Sequence, residues 1–296
     1  MDHLLPNICE VALLPVEQRI AKLRSEYWIG YTRAQEALGK MEELLNYPKR
    51  IRMPNMLLIS PSNNGKSMIV EKFRRKHLPY TSANQGHEVI PALTVQMPSN
   101  PSVRRFYATI VTALGSPVSS YNATVRYETI CIKLMKATEV KILIIDELHN
   151  LLAGNNNVQR EFLNVLRFIG NEMQVSIVGV GIKDAYLAIR SDDQLENRFE
   201  PFILPLWQND NEFSKLLKSI TMVLPLQKPS LLLDAEVRAI LLSRSEGTIG
   251  EIMTLLTRAA CEAIISGQEF IDRTILEKTK YNSPSERRRL YESMIN

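Results

Sequence analysis

The sequence predicts an α/β fold in which helices flank a parallel sheet and a small helical domain follows. Apolar runs of strand length alternate with helical patterns as far as Trp207, whereas only helical patterns follow Asp210. The chain has 296 residues, 45% of them hydrophobic, and can bury one sizeable core and a smaller one. We expect four parts: a helical N-terminal extension (1–50), an α/β core (51–208), a helical domain (209–281) and a basic C-terminal tail (282–296).

The first predicted elements are helical. Residues 15–46 place apolar residues at helical spacing, and Gly30 marks a break between two helices. Residues 57–59 form an apolar run that is typical of a parallel strand covered on both faces. A helix follows at 68–73, and a polar connection runs through residues 84–86.

Strands and helices then alternate along the chain. The pattern predicts strands at 89–97, 141–146, 175–181 and 202–207, and helices at 103–115 and 123–138. Further helices are predicted at 211–224, 234–245, 249–265 and 272–280.

The stretch SPSNNGKS, residues 60–67, joins a predicted strand to a predicted helix. A helix that begins there directs unpaired N–H groups and a partial positive charge at the loop, which favours binding of phosphate. Gly65 would allow close approach of the backbone, Lys66 would reach the terminal phosphates and the Ser67 hydroxyl would ligate Mg²⁺. The other loop positions expected to contact the nucleotide are Ser62, Asn63, Asn64 and Met68.

The loop departs from the pattern G-x-x-x-x-G-K-[ST] at one position, because Ser60 stands where the first glycine belongs. The alternative interpretation is a chance GKS at an ordinary strand-to-helix turn. The flanking strand and helix are the context that the motif requires, so they favour a nucleotide loop.

A second motif, KILIIDELH at 141–149, ends a predicted buried strand with two carboxylates. Ligands of open parallel sheets bind at the carboxyl edge of the strands. Asp146 would hold the Mg²⁺ shell, and Glu147 would polarise the water that attacks the γ-phosphate. Alternatively, both acids belong to the first turn of a solvated helix. Together with GKS upstream, the pair favours a site for ATP and Mg²⁺.

Composition limits the class of protein. A formal net charge of +4 permits a nucleic-acid partner without requiring one. Cys9, Cys131 and Cys261 lie far apart, which predicts a reduced, cytoplasmic chain without a zinc site. Because no apolar run approaches membrane-spanning length, no membrane partner is expected.

Several motifs, in order, carry a family resemblance. They are RMPNMLLI, NNGKSMIVEKFRRKH, IDELHNLLAG, SIVGVG and QLENRFEPFILPLW. This set resembles the TniB branch of the TniB/TnsC transposition regulators, which are AAA+ ATPases. The resemblance runs from about Arg19 to Trp207, and the C-terminal helices look like an AAA+ lid. It implies an AAA+ P-loop NTPase core with a small helical lid domain.

The resemblance implies an ATP-dependent oligomer that binds duplex DNA, marks a target site and recruits or activates a DDE transposase. In the family, a TniQ-type adaptor or another target-selection complex is a further partner. The oligomer would be a ring, a spiral or a filament in the bacterial cytoplasm, associated with the nucleoid when on DNA. Arg198 matches the arginine finger that contacts the γ-phosphate in a neighbouring subunit; a surface or intrachain ion pair is the alternative.

Two positions depart from the family pattern. Ile182 stands where sensor 1 often has a threonine, and Gly250 stands in GTIGEI where sensor 2 would have an arginine. Arg258, further along, is a weak substitute. We therefore expect hydrolysis that is slow, or that serves as a timer for disassembly more than as a motor stroke, and that DNA or a partner stimulates. His149 follows the acidic pair and is expected to be structural or to sense the γ-phosphate, because no second ligand stands at metal spacing.

DNA contacts are expected in the α/β core, because DNA in related AAA+ proteins runs through the pore of a ring or spiral. Arg104 and Arg105 begin a predicted helix, and such a helix start can hold a phosphate without reading sequence. The basic run at 72–76 is more typical of a solvated face. The arginines at 287–289 fit a contact with DNA or transposase, or a disordered basic end.

Two alternatives to a transposition regulator remain open. One is a helicase-loader-like AAA+ ATPase, which would share the same core. The other is a nucleotide-gated scaffold with little hydrolysis, which Ser60, Ile182 and the missing sensor-2 arginine favour.

Overall fold

The structure is a computed structural model, and it describes residues 1–25, 28–83, 86–118 and 123–295. Asn84 and Gln85, which the sequence places in a polar connection, lie outside the described residues. The strands are β1 (Asn55–Ile59), β2 (Tyr80–Thr81), β3 (Glu88–Val89), β4 (Ala92–Gln96), β5 (Ile142–Asp146), β6 (Ser176–Gly181) and β7 (Phe199–Ile203).

The helices before the last strand are α1 (Pro6–Ala12), α2 (Val16–Leu23), α3 (Thr32–Leu45), α4 (Lys66–Lys76), α5 (Val103–Ala113), α6 (Thr124–Ala137), α7 (Asn156–Met173), α8 (Lys183–Arg190) and α9 (Asp193–Glu196). A 3-10 helix, Leu148–Ala153, follows β5. The helices after it are α10 (Asn211–Val223), α11 (Ala235–Ser245), α12 (Ile249–Ile265), α13 (Arg273–Lys278) and α14 (Pro284–Ile295).

Among the described strands, the five longer ones form a parallel sheet in the order β4–β5–β6–β1–β7. In the centre of this sheet, Leu58 of β1 pairs with Val180 of β6 and with Phe202 of β7. Every residue of β1 and β6 is buried, as expected of parallel strands covered on both faces. The two short strands, β2 and β3, pair antiparallel with each other. The sheet brings the ends of β1 and β5 to the same edge, where the predicted motifs lie.

The last strand begins earlier than the sequence predicts. The predicted strand at 202–207 is observed at Phe199–Ile203, and it contains Pro201. Proline lacks an N–H for the ladder, but β7 is an edge strand and tolerates it. The apolar residues that follow leave the sheet after Leu204, whose N–H donates to the carbonyl of Ile59.

The chain divides into two compact units. The α/β unit comprises residues 34–62 and 66–204, and the helical unit comprises residues 1–33, 63–65 and 205–296. The four-part domain division predicted from the sequence remains a prediction.

Each unit has its own core. In the α/β unit, buried side chains of the helices pack on the sheet, and Phe106 meets Phe162 edge-on at 5.7 Å between ring centroids. In the helical unit, Leu23 joins a cluster of buried residues from α10 to α13. The buried Arg19 donates to Glu269 Oε1 at 2.9 Å and to the Pro225 carbonyl at 2.7 Å.

The C-terminal tail is a helix, α14, and not the disordered basic end that the sequence allowed. None of its described side chains is buried, and its exposed residues include Leu290 and Met294. Among the described helices, none is both long enough and apolar enough to span a bilayer.

Candidate functional site

Lys66 and Ser67 stand at the start of α4, after the loop that follows β1. The buried Lys66 ammonium donates to Ser60 O at 2.9 Å, to Ser60 Oγ at 3.1 Å and to Pro61 O at 2.9 Å. Burial lowers the pKa of Lys66, while the charges of Glu147 and Asp146 act to raise it. The loop therefore holds the ammonium by neutral acceptors, within the electrostatic influence of the acidic pair.

Asp146 ends β5 and faces Ser67. Its Oδ2 accepts a hydrogen bond from Ser67 Oγ at 3.3 Å, and its Oδ1 accepts one from the Glu147 N–H at 2.8 Å. A hydroxyl and a carboxylate in contact are hard oxygen ligands of the kind that Mg²⁺ prefers. This donor set fits the Mg²⁺ of a bound nucleotide.

Glu147 adopts a left-handed backbone with φ of 55° and is the N-cap of the 3-10 helix. Non-glycine residues in this region are uncommon and gather at functional sites. Its Oε2 lies 3.1 Å from His149 Nε2. The other ring nitrogen, His149 Nδ1, is buried and meets no hydrogen-bond partner among the residues that the structure describes. His149 thus holds the carboxylate to which the sequence assigns activation of water.

The tip of the loop, Asn63–Gly65, belongs to the helical unit. The Asn63 carbonyl accepts from Gly250 N at 3.0 Å, and Asn64 Oδ1 accepts from Ile249 N at 3.2 Å. Asn64 Nδ2 donates to the carbonyl of Pro205 at 3.0 Å. The first N–H groups of α12, which a helix leaves unpaired, therefore bond to the loop tip.

Two glycines permit this packing. Gly65 has φ of +87°, a region that favours glycine. A Cβ on Gly250 would lie 1.9 Å from Asn63 Oδ1, so only glycine fits there while Asn63 keeps its position. Of the other expected loop contacts, Ser62 is exposed and Met68 is half-buried.

Glu251, the next residue of α12, was not found by sequence reasoning. Its Oε1 accepts from Asn63 Nδ2 at 3.1 Å and from Arg287 Nη2 at 2.6 Å, and its Oε2 accepts from the Tyr281 hydroxyl at 2.6 Å. An acid in the first turn of a helix is ordinary, and no spacing in the sequence indicates partners 30 and 36 residues away.

Arg198 is not brought together with Lys66 or Asp146. Its carbonyl accepts from the N–H of Asn55, the first residue of β1, whereas the phosphate loop follows the last. A strand of five residues places about 13 Å between these two edges of the sheet. Arg198 Nη1 donates to Asn171 Oδ1 at 2.8 Å. Burial lowers the pKa of Arg198, and the like charge of Arg52 lowers it further.

The predicted DNA-contacting residues lie apart from the loop. Arg104 and Arg105 are exposed in the first turn of α5, where the Ser102 side chain makes no capping bond within the described part of the chain. In the basic run at 72–76, Arg74 and Arg75 both pair with Glu71.

Arg258 does not replace the arginine that the resemblance leads one to expect at Gly250, and Ile182 stands at the other expected sensor position. Ile182 is half-buried at the N-cap of α8, directly after β6. Arg258 Nη1 donates to the Lys280 carbonyl at 2.9 Å, and its guanidinium lies over the Tyr281 ring. Arg258 is therefore engaged elsewhere in the helical unit.

The profile described as "Bacterial TniB protein" matches residues 19–209. The chain belongs to the TniB family. Sequence comparison with curated proteins gives no significant match. The family prediction made from the sequence motifs is confirmed.

Solved structures similar to this TniB-family protein are AAA+ proteins. The ORC2 protein of Aeropyrum pernix, in ADPNP–ADP complexes, is 17% identical with a TM-score of 0.60, covering 87% of this chain and 70% of that one. Cdc6p from Pyrobaculum aerophilum is 12% identical with a TM-score of 0.58, covering 84% and 67%. The ORC1 protein of Aeropyrum pernix, in complex with DNA, is 16% identical with a TM-score of 0.56, covering 84% and 63%. The predicted AAA+ P-loop ATPase fold is confirmed.

Proposed function

We propose that this TniB-family protein is an ATP-dependent regulator of DNA transposition. It assembles on duplex DNA, marks a target site and recruits or activates a DDE transposase, with a TniQ-type adaptor or another target-selection complex as a further partner. The observation that carries the proposal is the contact of Ser67 with Asp146, beside Lys66 and Glu147, at the carboxyl edge of β1 and β5. This is the edge at which ligands bind in open parallel sheets.

The residues of the site divide the work of binding and hydrolysing ATP. Lys66 exchanges its bonds to Ser60 and Pro61 for phosphate oxygens. Ser67 and Asp146 hold Mg²⁺, which when bound offsets the negative charge of the phosphates. Glu147 orients the attacking water and accepts its proton once its contact with His149 is released.

Arg198 supports assembly of several copies. Because it lies at the opposite edge of the sheet from the acidic pair, its guanidinium serves the nucleotide of a neighbouring copy and not its own. Such a head-to-tail contact uses two different surfaces, so copies form a ring if the rotation closes and a spiral or filament if it does not.

Electron microscopy of the purified protein with linear duplex DNA tests the assembly, comparing ATP, a non-hydrolysable analogue and ADP. We expect rings or filaments on DNA only with the triphosphates, and their loss in Lys66→Ala and in Arg198→Ala. Particles that stay monomeric and off DNA in every nucleotide state would overturn the proposal.

DNA binding is proposed at Arg104 and Arg105, which are exposed at a helix start. The matched control removes the same charge from Arg74 and Arg75, which pair with Glu71. Each phosphate contact contributes about 0.9 to the slope of log affinity against log salt. We expect Arg104→Ala/Arg105→Ala to reduce that slope by about 1.8, and the control pair to leave it unchanged. Equal slopes for both pairs would place the DNA contacts elsewhere.

A nucleotide-gated scaffold with little hydrolysis is the second candidate, favoured by the bonds that hold Lys66 at Ser60. ATP turnover measured with DNA separates the two. Turnover that Glu147→Gln abolishes supports the ATPase, whereas turnover at background level in the unmutated chain supports the scaffold.

A further inference from the structure

Glu251 links the phosphate loop to the C-terminal helix. Its side chain is only 10% exposed, and it accepts hydrogen bonds from Asn63 of the loop, from Tyr281 and from Arg287 of α14. All four residues belong to the helical unit. Asn63 and Arg287 are therefore linked by hydrogen bonds to the same carboxylate.

The start of α14 is fixed by several other contacts. The carbonyls of Thr279 and Tyr281 both accept from the Arg244 guanidinium, at 3.0 and 2.7 Å. The N–H of Ser285, in the first turn of α14, donates to Glu246 Oε1 at 2.8 Å. Arg287 is thus held in place to meet Glu251, and a movement of α14 would break that ion pair.

The carboxylate of Glu251 carries a charge that needs these donors. Burial acts to raise its pKa, but the hydrogen bonds from Tyr281, Arg287 and Asn63 outweigh burial, so the pKa lies below its ordinary value and Glu251 is ionised near neutral pH. A buried charge that loses one of its partners is left partly uncompensated, at a cost, and Glu251 then depends on the donors of Asn63 and Tyr281. Removal of Arg287 therefore also alters the hydrogen bond between Asn63 and Glu251.

We propose that Glu251 is a positioning residue for the nucleotide and that Arg287 acts through it, so that anchoring of the C-terminal helix strengthens ATP binding. The inference rests on the proposed ATP site at the phosphate loop. Coupling between two sites is reciprocal, so ATP must also stabilise the start of α14.

The first test measures binding of a fluorescent ATP analogue to the full chain. Arg287→Ala is compared with Arg289→Ala, which removes the same charge from an exposed position of the same helix. We expect Arg287→Ala to raise the Kd about fivefold or more and Arg289→Ala to leave it unchanged. Arg287→Lys keeps the charge and is expected to restore part of the affinity. If Arg287→Ala weakened binding only because the protein failed to fold, this partial recovery would not be expected.

The second test measures the reciprocal effect by amide hydrogen exchange of residues 283–289, with and without ATP. We expect ATP to slow exchange there in the unmutated chain, and Glu251→Gln to abolish this protection. If the unmutated chain binds ATP but Arg287→Ala binds as tightly as Arg289→Ala, or ATP gives no protection, the inference is overturned while the proposed ATP site stands. If the unmutated chain binds no ATP, both are overturned.

Discussion

At the scale of single residues, Ser60 changes the chemistry of the phosphate loop. A serine stands where the loop pattern has its first glycine, and its hydroxyl accepts a hydrogen bond from the Lys66 ammonium at 3.1 Å. Glycine offers only its carbonyl at this position. At the proposed ATP site we expect this extra acceptor to compete with phosphate for Lys66 and so to weaken ATP binding.

Ser60→Ala removes this competing hydroxyl. A hydrogen bond to a charged group is worth about 1.5–3 kcal/mol, part of which is lost when Lys66 turns to phosphate. We expect the Kd for ATP to fall by about three- to tenfold, as measured by calorimetry, and the melting temperature of the nucleotide-free protein to fall slightly, because that state loses the hydrogen bond. Lys66→Ala is the negative control. Unchanged or weaker binding in Ser60→Ala would show that the hydroxyl does not compete.

Gly250 supports the loop through its lack of a side chain. In Gly250→Ala, the new Cβ displaces the Asn63 side chain, 1.9 Å away, from its bond to Glu251. We expect a loss of about 0.5–1.5 kcal/mol in unfolding free energy, from the broken hydrogen bond between Asn63 and Glu251, and weaker ATP binding. The control is Gly39→Ala, since a Cβ at that helical position meets nothing within 4 Å. That change is expected to stabilise the protein by about 0.5–1 kcal/mol. Equal effects in urea denaturation would contradict the steric account.

At the scale of secondary-structure elements, Arg244 of α11 ties the end of α13 to the segment before α14. Its guanidinium donates to the carbonyls of Leu276, Thr279 and Tyr281. A planar fork with several donors can serve three carbonyls at once.

Arg244→Ala leaves these carbonyls without their charged donor. We expect a loss of about 2–3 kcal/mol in unfolding free energy by urea denaturation, and little recovery in Arg244→Lys because an ammonium lacks the fork geometry. Arg190→Ala is the control, since that exposed arginine makes a long ion pair, 3.7 Å, with Glu196. Its effect should stay below about 1 kcal/mol. Similar losses in both variants would contradict the assigned role of Arg244.

The elements with strong local signals were predictable from sequence. The strands β1, β5 and β6 consist of apolar residues and glycine except for Asn55, Asp146 and Ser176, and loop residues bound them, so their positions were predicted to within a few residues. The start of β7 was not, because Pro201 and Glu200 interrupt its pattern and its edge position is a property of the whole sheet. The helicity of α14 was also missed, because none of its described side chains is buried and its apolar periodicity is weak.

Some residues of the candidate site could likewise be predicted from the sequence, and others could not. Lys66, Ser67, Asp146 and Glu147 belong to two short motifs that can each be recognised from their own residues. The sheet brings the two motifs into contact, although Ser67 and Asp146 are 79 residues apart. The role of Glu251 depends on partners far along the chain, and a single sequence carries no signal for such a pairing. Gly250 illustrates the difference. From the sequence it is noted only as a position that lacks the expected arginine, whereas the structure shows that a Cβ there would clash with Asn63.

At the scale of the whole molecule, carboxylates that hold the helical unit together make it sensitive to acid. Burial acts to raise the pKa values of Glu251 and Glu269, but bonds from their donors outweigh it and lower both. In the unfolded chain the pKa of a glutamate is about 4.3. Below that pH the unfolded chain binds more protons than the folded one, so stability falls as pH drops through the lower folded-state pKa values.

Glu269→Gln removes one of these carboxylates and breaks its buried pair with Arg19. We expect a loss of about 3 kcal/mol in unfolding free energy at pH 7 and a shallower decline between pH 5 and pH 3, measured by urea denaturation at each pH. The control, Glu17→Gln, removes an exposed carboxylate from the same helix as Arg19 and should change stability by less than about 0.5 kcal/mol. An unchanged pH profile in Glu269→Gln would contradict this account.

The buried pair of Arg19 and Glu269 also orders events during synthesis. These residues are 250 positions apart, and a ribosome adds about 5–20 residues per second, so Arg19 emerges on the order of 10 to 50 seconds before its partner exists. Leu23 packs in the same core and cannot be buried until α10 to α13 have been synthesised. The α/β unit is translated in the meantime, so its sheet can form while the segment that contains Arg19 and Leu23 still lacks its core and leaves its apolar side chains exposed.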